Sequence, residues 1–243
     1  MSTTVPSPAG GIAGHLRAVL SLGLPLVGSH VAQFAITLTD AVMLGRYDVT
    51  VLAGQVLGSQ LFFVTFIVGS GFAWAVMPMV ARARGAGDEV RIRRVTRMSL
   101  WICAGYGLLF LPLMLAGRHV FEALGQDPAL SALGGEYLAI QGVSILPGLM
   151  VMVLKSYLAA LERTRVVLWV TLGAVALNVG ANWLLIFGNA GFPELGIRGA
   201  AWASLLVTTA SMAAMVVYSV RLFPEHALFR RQIGRASCRE RVS

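Results

Sequence analysis

Apolar residues fill the chain in six long blocks, near positions 17–44, 51–80, 96–117, 132–160, 166–188 and 197–222, with short polar or glycine-rich intervals between them. At 1.5 Å of rise per residue, about 20 residues cross the ~30 Å hydrocarbon core of a bilayer, so each block predicts one transmembrane helix. Several blocks exceed the length of one span, and tilt or protrusion accommodates the excess. Pro25, Pro78, Pro112 and Pro147 lie within or near the ends of four blocks. A proline lacks the amide that closes a helical turn, so kinks are predicted there. The fold class is all-α integral membrane, with six transmembrane helices over residues 16–222.

Composition removes the soluble alternatives. Hydrophobic residues make up 57% of the chain and charged residues 12%, against about 25% charged in a soluble domain. Mean hydropathy is +0.76. Residues 1–15 are rich in Ser, Thr, Pro and Gly with no apolar centre. They read as a disordered tail rather than a cleaved signal peptide, and the first helix acts as the anchor. Cys103 falls in a predicted helix and Cys238 near the end of the chain, which gives neither a disulfide nor a metal site.

The net charge of +8 does not call for nucleic acid, because the arginines sit in particular connections. Arg17, the run Arg82, Arg84, Arg91, Arg93, Arg94 and Arg97, then Arg163, Arg165, Arg221, Arg230 and Arg231 fall on one side of the predicted membrane. Only Arg46, Arg118 and Arg198 fall on the other. The positive-inside rule then places both termini in the cytoplasm. Lys155, near the inner end of the fourth block, is within reach of that interface by snorkelling, with a substrate or ion-pair role as the alternative.

Polar residues inside the blocks carry the functional argument. Asp40 lies about one turn from the outer end of the first helix. A carboxylate at a bilayer centre costs about 2.5–3.5 kcal/mol on insertion scales, and such residues usually face a protein interior or a wet cavity. Its alternative role is a side chain that snorkels to the outer surface. His30, Gln33, Thr37 and Asp40 recur at spacings of 3, 4 and 3, which predicts one polar stripe. With the orientation above, Asn178 and Asn182 on helix five also fall in the outer half, one turn apart. So do Gln55 and Ser59 on helix two, and Trp202, Ser204 and Thr208 on helix six. Polar groups from four helices thus converge at one depth, as the wall of a cavity or ion site would. The alternative for Ser59, Ser204 and Thr208 singly is interhelical hydrogen bonding, worth about 0.6 kcal/mol each. Gly54 with Gly58, and Ala200 with Ser204, form small-xxx-small pairs that permit close helix approach. The chain has no Walker loop, HExxH, GxSxG or paired cysteines, so neither catalytic residues nor an organic cofactor or metal is expected.

Three stretches then resemble the multidrug and toxic compound extrusion (MATE) family. The first is Leu24-Pro25 followed by Thr39-Asp40-Ala41-Val42-Met43-Leu44-Gly45 and Leu52-Ala53-Gly54. The second runs from Pro78-Met79-Val80 to Gly85-Ala86-Gly87-Asp88. The third runs from Leu177-Asn178 through Asn182-Trp183 to Gly188, and resumes from Phe192-Pro193-Glu194 to Trp202-Ala203-Ser204. The resemblance implies a twelve-helix transporter of two six-helix lobes, of which this chain is the amino-terminal one. It implies export of cationic amphipathic drugs and toxic compounds in antiport with Na⁺ or H⁺, from the bacterial cytoplasmic membrane. It also implies that Asp40, with Asn178 and Asn182, binds the coupling ion. Some branches of the family carry a second Asp where this chain has Asn182, so one central carboxylate remains here. Ser204 stands where the family often has Thr. The partners so implied are membrane lipid, small cationic substrates and the carboxy-terminal lobe of the same protein.

Residues 223–232 look like the start of an inter-lobe linker. Residues 233–243 resemble an in-frame translation of a sequencing-library adapter. Two other readings stay open on the residues: a related lipid-linked oligosaccharide flippase, and a six-helix scaffold or fragment that transports nothing.

Overall fold

The computed structural model describes residues 12–222, so the expectations for residues 1–11 and 223–243 lie outside them. Nine α-helices make up the described residues: α1 (Ile12–Tyr47), α2 (Val49–Trp74), α3 (Val76–Gly85), α4 (Glu89–Leu115), α5 (Gly117–Ala123), α6 (Pro128–Gln141), α7 (Ile145–Ala160), α8 (Thr164–Leu185) and α9 (Ile197–Leu222). Together they provide six membrane-length spans, Val19–Tyr47, Val49–Gly85, Glu89–Leu115, Pro128–Ala160, Thr164–Leu185 and Ile197–Leu222. The chain is therefore a multi-pass membrane protein.

Two spans are each made of two helices, and proline chemistry explains both breaks. Pro78 has no amide to close a turn onto Trp74, and α2 gives way to α3 at Ala75. Pro147 likewise leaves the carbonyl of Val143 without its usual donor, and a 3-10 turn at Gly142–Ser144 separates α6 from α7. Pro25 and Pro112 remain inside continuous helices.

The third span begins seven residues earlier than the apolar pattern indicates. Asp88 caps α4, its Oδ1 accepting from the Arg91 amide at 2.8 Å. The arginines that interrupt the apolar run lie in the first helical turns, where charged heads reach water. Asp48 forms the tight turn between α1 and α2 by accepting from the amides of Thr50 (2.6 Å) and Val51 (3.0 Å). Those two donors hold its carboxyl below the usual carboxylate range.

Neighbouring spans pack along their small residues. α1 lies along α8, α8 along α9, and α2 along α6. A Cβ added at Gly54 would sit 2.5 Å from Leu133 Cβ, and one at Gly58 would sit 2.9 Å from Gly134 O. The pair Gly54/Gly58 is thus what lets α2 and α6 touch backbone to backbone. The largest apolar cluster closes the arginine-rich end, where Val76, Val80, Ile92, Leu154, Tyr157 and Met215 are fully buried. A second cluster around Leu44, Ile186 and Ile197 lies at the opposite end. Exposed apolar side chains such as Phe34, Leu109 and Trp169 are what a lipid-facing surface requires.

Candidate functional site

The carboxyl-terminal half of α1 turns a stripe of Ser29, Ala32, Ile36, Asp40 and Leu44 inward. α8 answers with Thr171, Ala174, Asn178 and Asn182 on its own buried face. Helical periodicity therefore carries both asparagines to the depth of Asp40. Asp40 is 6% exposed, and Asn178 and Asn182 are fully buried. Asp40 Oδ1 accepts from Asn178 Nδ2 at 2.9 Å and from Asn182 Nδ2 at 2.5 Å. The asparagines also meet each other, Asn182 Nδ2 lying 3.3 Å from Asn178 Oδ1. From α9, Ser204 Oγ approaches Asp40 Oδ2 at 3.4 Å.

A second layer joins this cluster to two more helices. Tyr137 on α6 is 4% exposed. Its hydroxyl lies beside Ser59, Gln55 and Ser204 and within electrostatic reach of Asp40. Gln55 Nε2 donates to Ser59 Oγ at 2.9 Å. Above them Arg198, at the start of α9, pairs with Glu136 on α6. The connected polar groups thus come from α1, α2, α6, α8 and α9.

Chemically, the cluster is an anionic oxygen held by neutral donors. No Lys, Arg or His among the described residues pairs with Asp40. Buried charge without a counter-charge is costly, and neutral hydrogen bonds offset only part of that cost. Asn182 Oδ1 is buried with no hydrogen-bond partner. Asp40 Oδ2, Asn182 Oδ1 and Ser204 Oγ are the cluster oxygens that could ligate a cation, and the Asp40 carboxyl could take a proton.

The other sequence candidates divide. Gln55, Ser59 and Ser204 join the network. Thr208 Oγ1 instead donates to the Ser204 carbonyl at 2.8 Å, a bond within its own helix. Trp202 is half exposed and lies on the far side of α9 from Ser204. The stripe expected along α1 splits: Asp40 turns inward, whereas His30, Gln33 and Thr37 are exposed. The cause is angular. These three sit toward one edge of the arc centred on Asp40, and α8 covers the other edge, where Ser29, Ala32 and Ile36 lie. Gln33 nevertheless has a partner, since Lys155 Nζ on α7 donates to its Oε1 at 3.2 Å. Lys155 therefore reaches across to α1 instead of extending toward the arginine-rich end. Tyr137 escaped the sequence reading because one tyrosine in an apolar block carries no spacing signal. Gly134, three residues before it, marks the close contact with α2 and was the available clue.

A family profile described as MatE matches residues 25–184. Two curated relatives are each described as "Probable multidrug resistance protein NorM". The one from Rhizobium meliloti is 47% identical over 211 residues, covering 87% of this chain and 45% of that protein. The one from Agrobacterium fabrum is 41% identical over 218 residues, covering 90% and 47%. The chain thus spans about half the length of the curated relatives it matches. Among solved structures, a eukaryotic MATE transporter superposes with a TM-score of 0.82 at 15% identity, over 93% of this chain and 50% of that one. An outward-facing multidrug resistance MATE transporter gives 0.74 at 20%, over 86% and 45%. At these identities the structures speak for the fold.

Proposed function

The chain belongs to the MATE family of multidrug efflux transporters, and on that premise we propose that it forms the amino-terminal, ion-coupling lobe of an exporter of cationic amphipathic compounds. The carrying observation is the buried Asp40 carboxylate, held by Asn178 and Asn182 and paired with no cationic side chain. Na⁺ or H⁺ neutralises Asp40. The amides then lose their charged acceptor, and the contact between α1 and α8 relaxes. Ion binding shifts the lobe between two packings only to the extent that its affinity differs between them, about 1.4 kcal/mol for each tenfold difference. A cationic substrate that competes for the same carboxylate, directly or through the shift of α1, is exchanged for the ion.

The second lobe belongs to the same polypeptide in this reading, which the half-length match to the relatives supports. The arginine-rich end faces the cytoplasm of a bacterial inner membrane, with the Asp40 end toward the outside. The test is ion-driven efflux of a fluorescent cationic dye by the full-length protein in proteoliposomes. Asp40→Asn should insert normally and lose efflux driven by either a Na⁺ or a pH gradient. Wild-type efflux by that variant would remove Asp40 from the coupling step.

A further inference from the structure

At the arginine-rich end, the helix break above Pro78 leaves a cleft of about 780 Å³ between the α2–α3 bend and α4. Its lining includes the half-exposed apolar side chains Phe72, Met79, Met98 and Ile102 together with Arg91 and Arg94. A second hollow of about 310 Å³ adjoins it on α4, sharing Arg94 and Met98 and adding Arg93, Arg97 and Trp101. Helical spacing puts Arg94, Arg97, Met98 and Trp101 on one face, with Arg93 beside them. No ion pair among the described residues engages Arg93, Arg94 or Arg97. The acid that lines the cleft, Asp88, points one oxygen at the Arg91 amide as the helix cap. Trp101 is 76% exposed, one turn past Arg97 toward the membrane centre.

We propose that the cleft and the hollow beside it together form a binding site for an anionic phospholipid, with the phosphate at Arg93, Arg94 and Arg97 and an acyl chain along Met98, Ile102 and Phe72. The order of the groups selects this ligand. Along α4 the cationic heads of Arg93, Arg94 and Arg97 come first, and Met98, the exposed Trp101 and Ile102 follow, which is the polarity sequence of a phospholipid entering a bilayer. Inorganic phosphate would use the arginines and leave the groove without a function. A zwitterionic lipid would fill the groove but bring its own positive charge against three guanidinium groups. The inference needs only that the chain spans a membrane, and it is independent of Asp40 and of transport.

The experiment is native mass spectrometry of the purified full-length protein, with titration of phosphatidylglycerol, phosphatidylcholine and inorganic phosphate. Each arginine should contribute about a fivefold preference for the anionic head. Wild-type protein should therefore retain phosphatidylglycerol over phosphatidylcholine. The triple change Arg93→Gln, Arg94→Gln, Arg97→Gln should weaken that retention on the order of a hundredfold. Arg165→Gln with Arg221→Gln, basic positions on the same side outside the cleft, should leave it unchanged, which separates a site from general surface charge. Met98→Ser should weaken lipid retention with the arginines intact. Equal retention of both lipids, a triple variant that binds like wild type, a matching loss in the Arg165/Arg221 control, or full competition by millimolar phosphate would each overturn the proposal.

Discussion

At one end of the lobe five helices meet around Asp40, Asn178, Asn182, Ser204 and Tyr137. At the other, α3, α4 and α7 close around Val80, Ile92, Leu154 and Tyr157. The first contact is polar and bonded across helices, whereas the second is apolar and fully buried. Lipid tails are as apolar as leucine, so burying leucine in a membrane protein gains little by hydrophobicity and much by fit. The apolar end is thus held by shape, which resists change. The polar end is held by hydrogen bonds to one carboxylate, and these change the moment its charge is neutralised. Under the proposed ion coupling, the lobe needs both: an end that can switch and an end that stays fixed while it does.

That contrast can be broken from either side. The largest effect is expected for Asp40→Asn, which should bring ion-driven efflux by the full-length protein down to the rate of empty vesicles while the thermal midpoint stays at or above wild type. The midpoint should not fall because an unpaired buried charge has been removed. Leu154→Ala should do the reverse, lowering unfolding stability by about 2–5 kcal/mol with coupling per folded molecule intact. Scanning fluorimetry beside dye efflux separates the two. Asn182→Ala removes one donor to the carboxylate and should reduce ion-driven efflux about tenfold, near the 1.5–3 kcal/mol of a charged hydrogen bond. Tyr137→Phe keeps the ring and loses the hydroxyl that lies beside Ser59, Gln55 and Ser204. It should cost about 1 kcal/mol in ion affinity, a few-fold shift in the half-saturating ion concentration. Thr37→Ala, on the exposed edge of α1, should stay within about 0.5 kcal/mol of wild type in every assay. A Thr37→Ala loss equal to that of Asn182→Ala would restore the single polar stripe.

Much of this arrangement is legible in the sequence because membrane helices expose their logic. A carboxylate in an apolar run has few tolerable places, and two asparagines one turn apart must share a face. Asp40, Asn178 and Asn182 were therefore readable together. So were the six spans, because their lengths answer to the bilayer and not to tertiary contacts. The breaks at Ala75 and Gly142–Ser144 were only half legible. Pro78 and Pro147 announce a missing hydrogen bond, yet Pro25 and Pro112 announce the same and their helices run on. Whether neighbouring helices preserve the turn is a tertiary matter. The split of His30, Gln33 and Thr37 from Asp40 was not legible either. Periodicity places them within one arc, and only the position of α8 decides which part of the arc is covered. Tyr137 belongs to the same class, a residue whose role comes from the backbone contact between α2 and α6.

The most direct test of the ion-coupling claim is covalent labelling of the full-length protein with a hydrophobic carbodiimide, which reacts with a protonated carboxyl in an apolar setting, followed by peptide mass spectrometry. Label is expected on Asp40, and it should fall when Na⁺ or a cationic substrate is added or when the pH is raised. Label on Asp40 that ignores ion, substrate and pH alike would mean that the carboxyl is a structural acid and that the coupling site lies elsewhere.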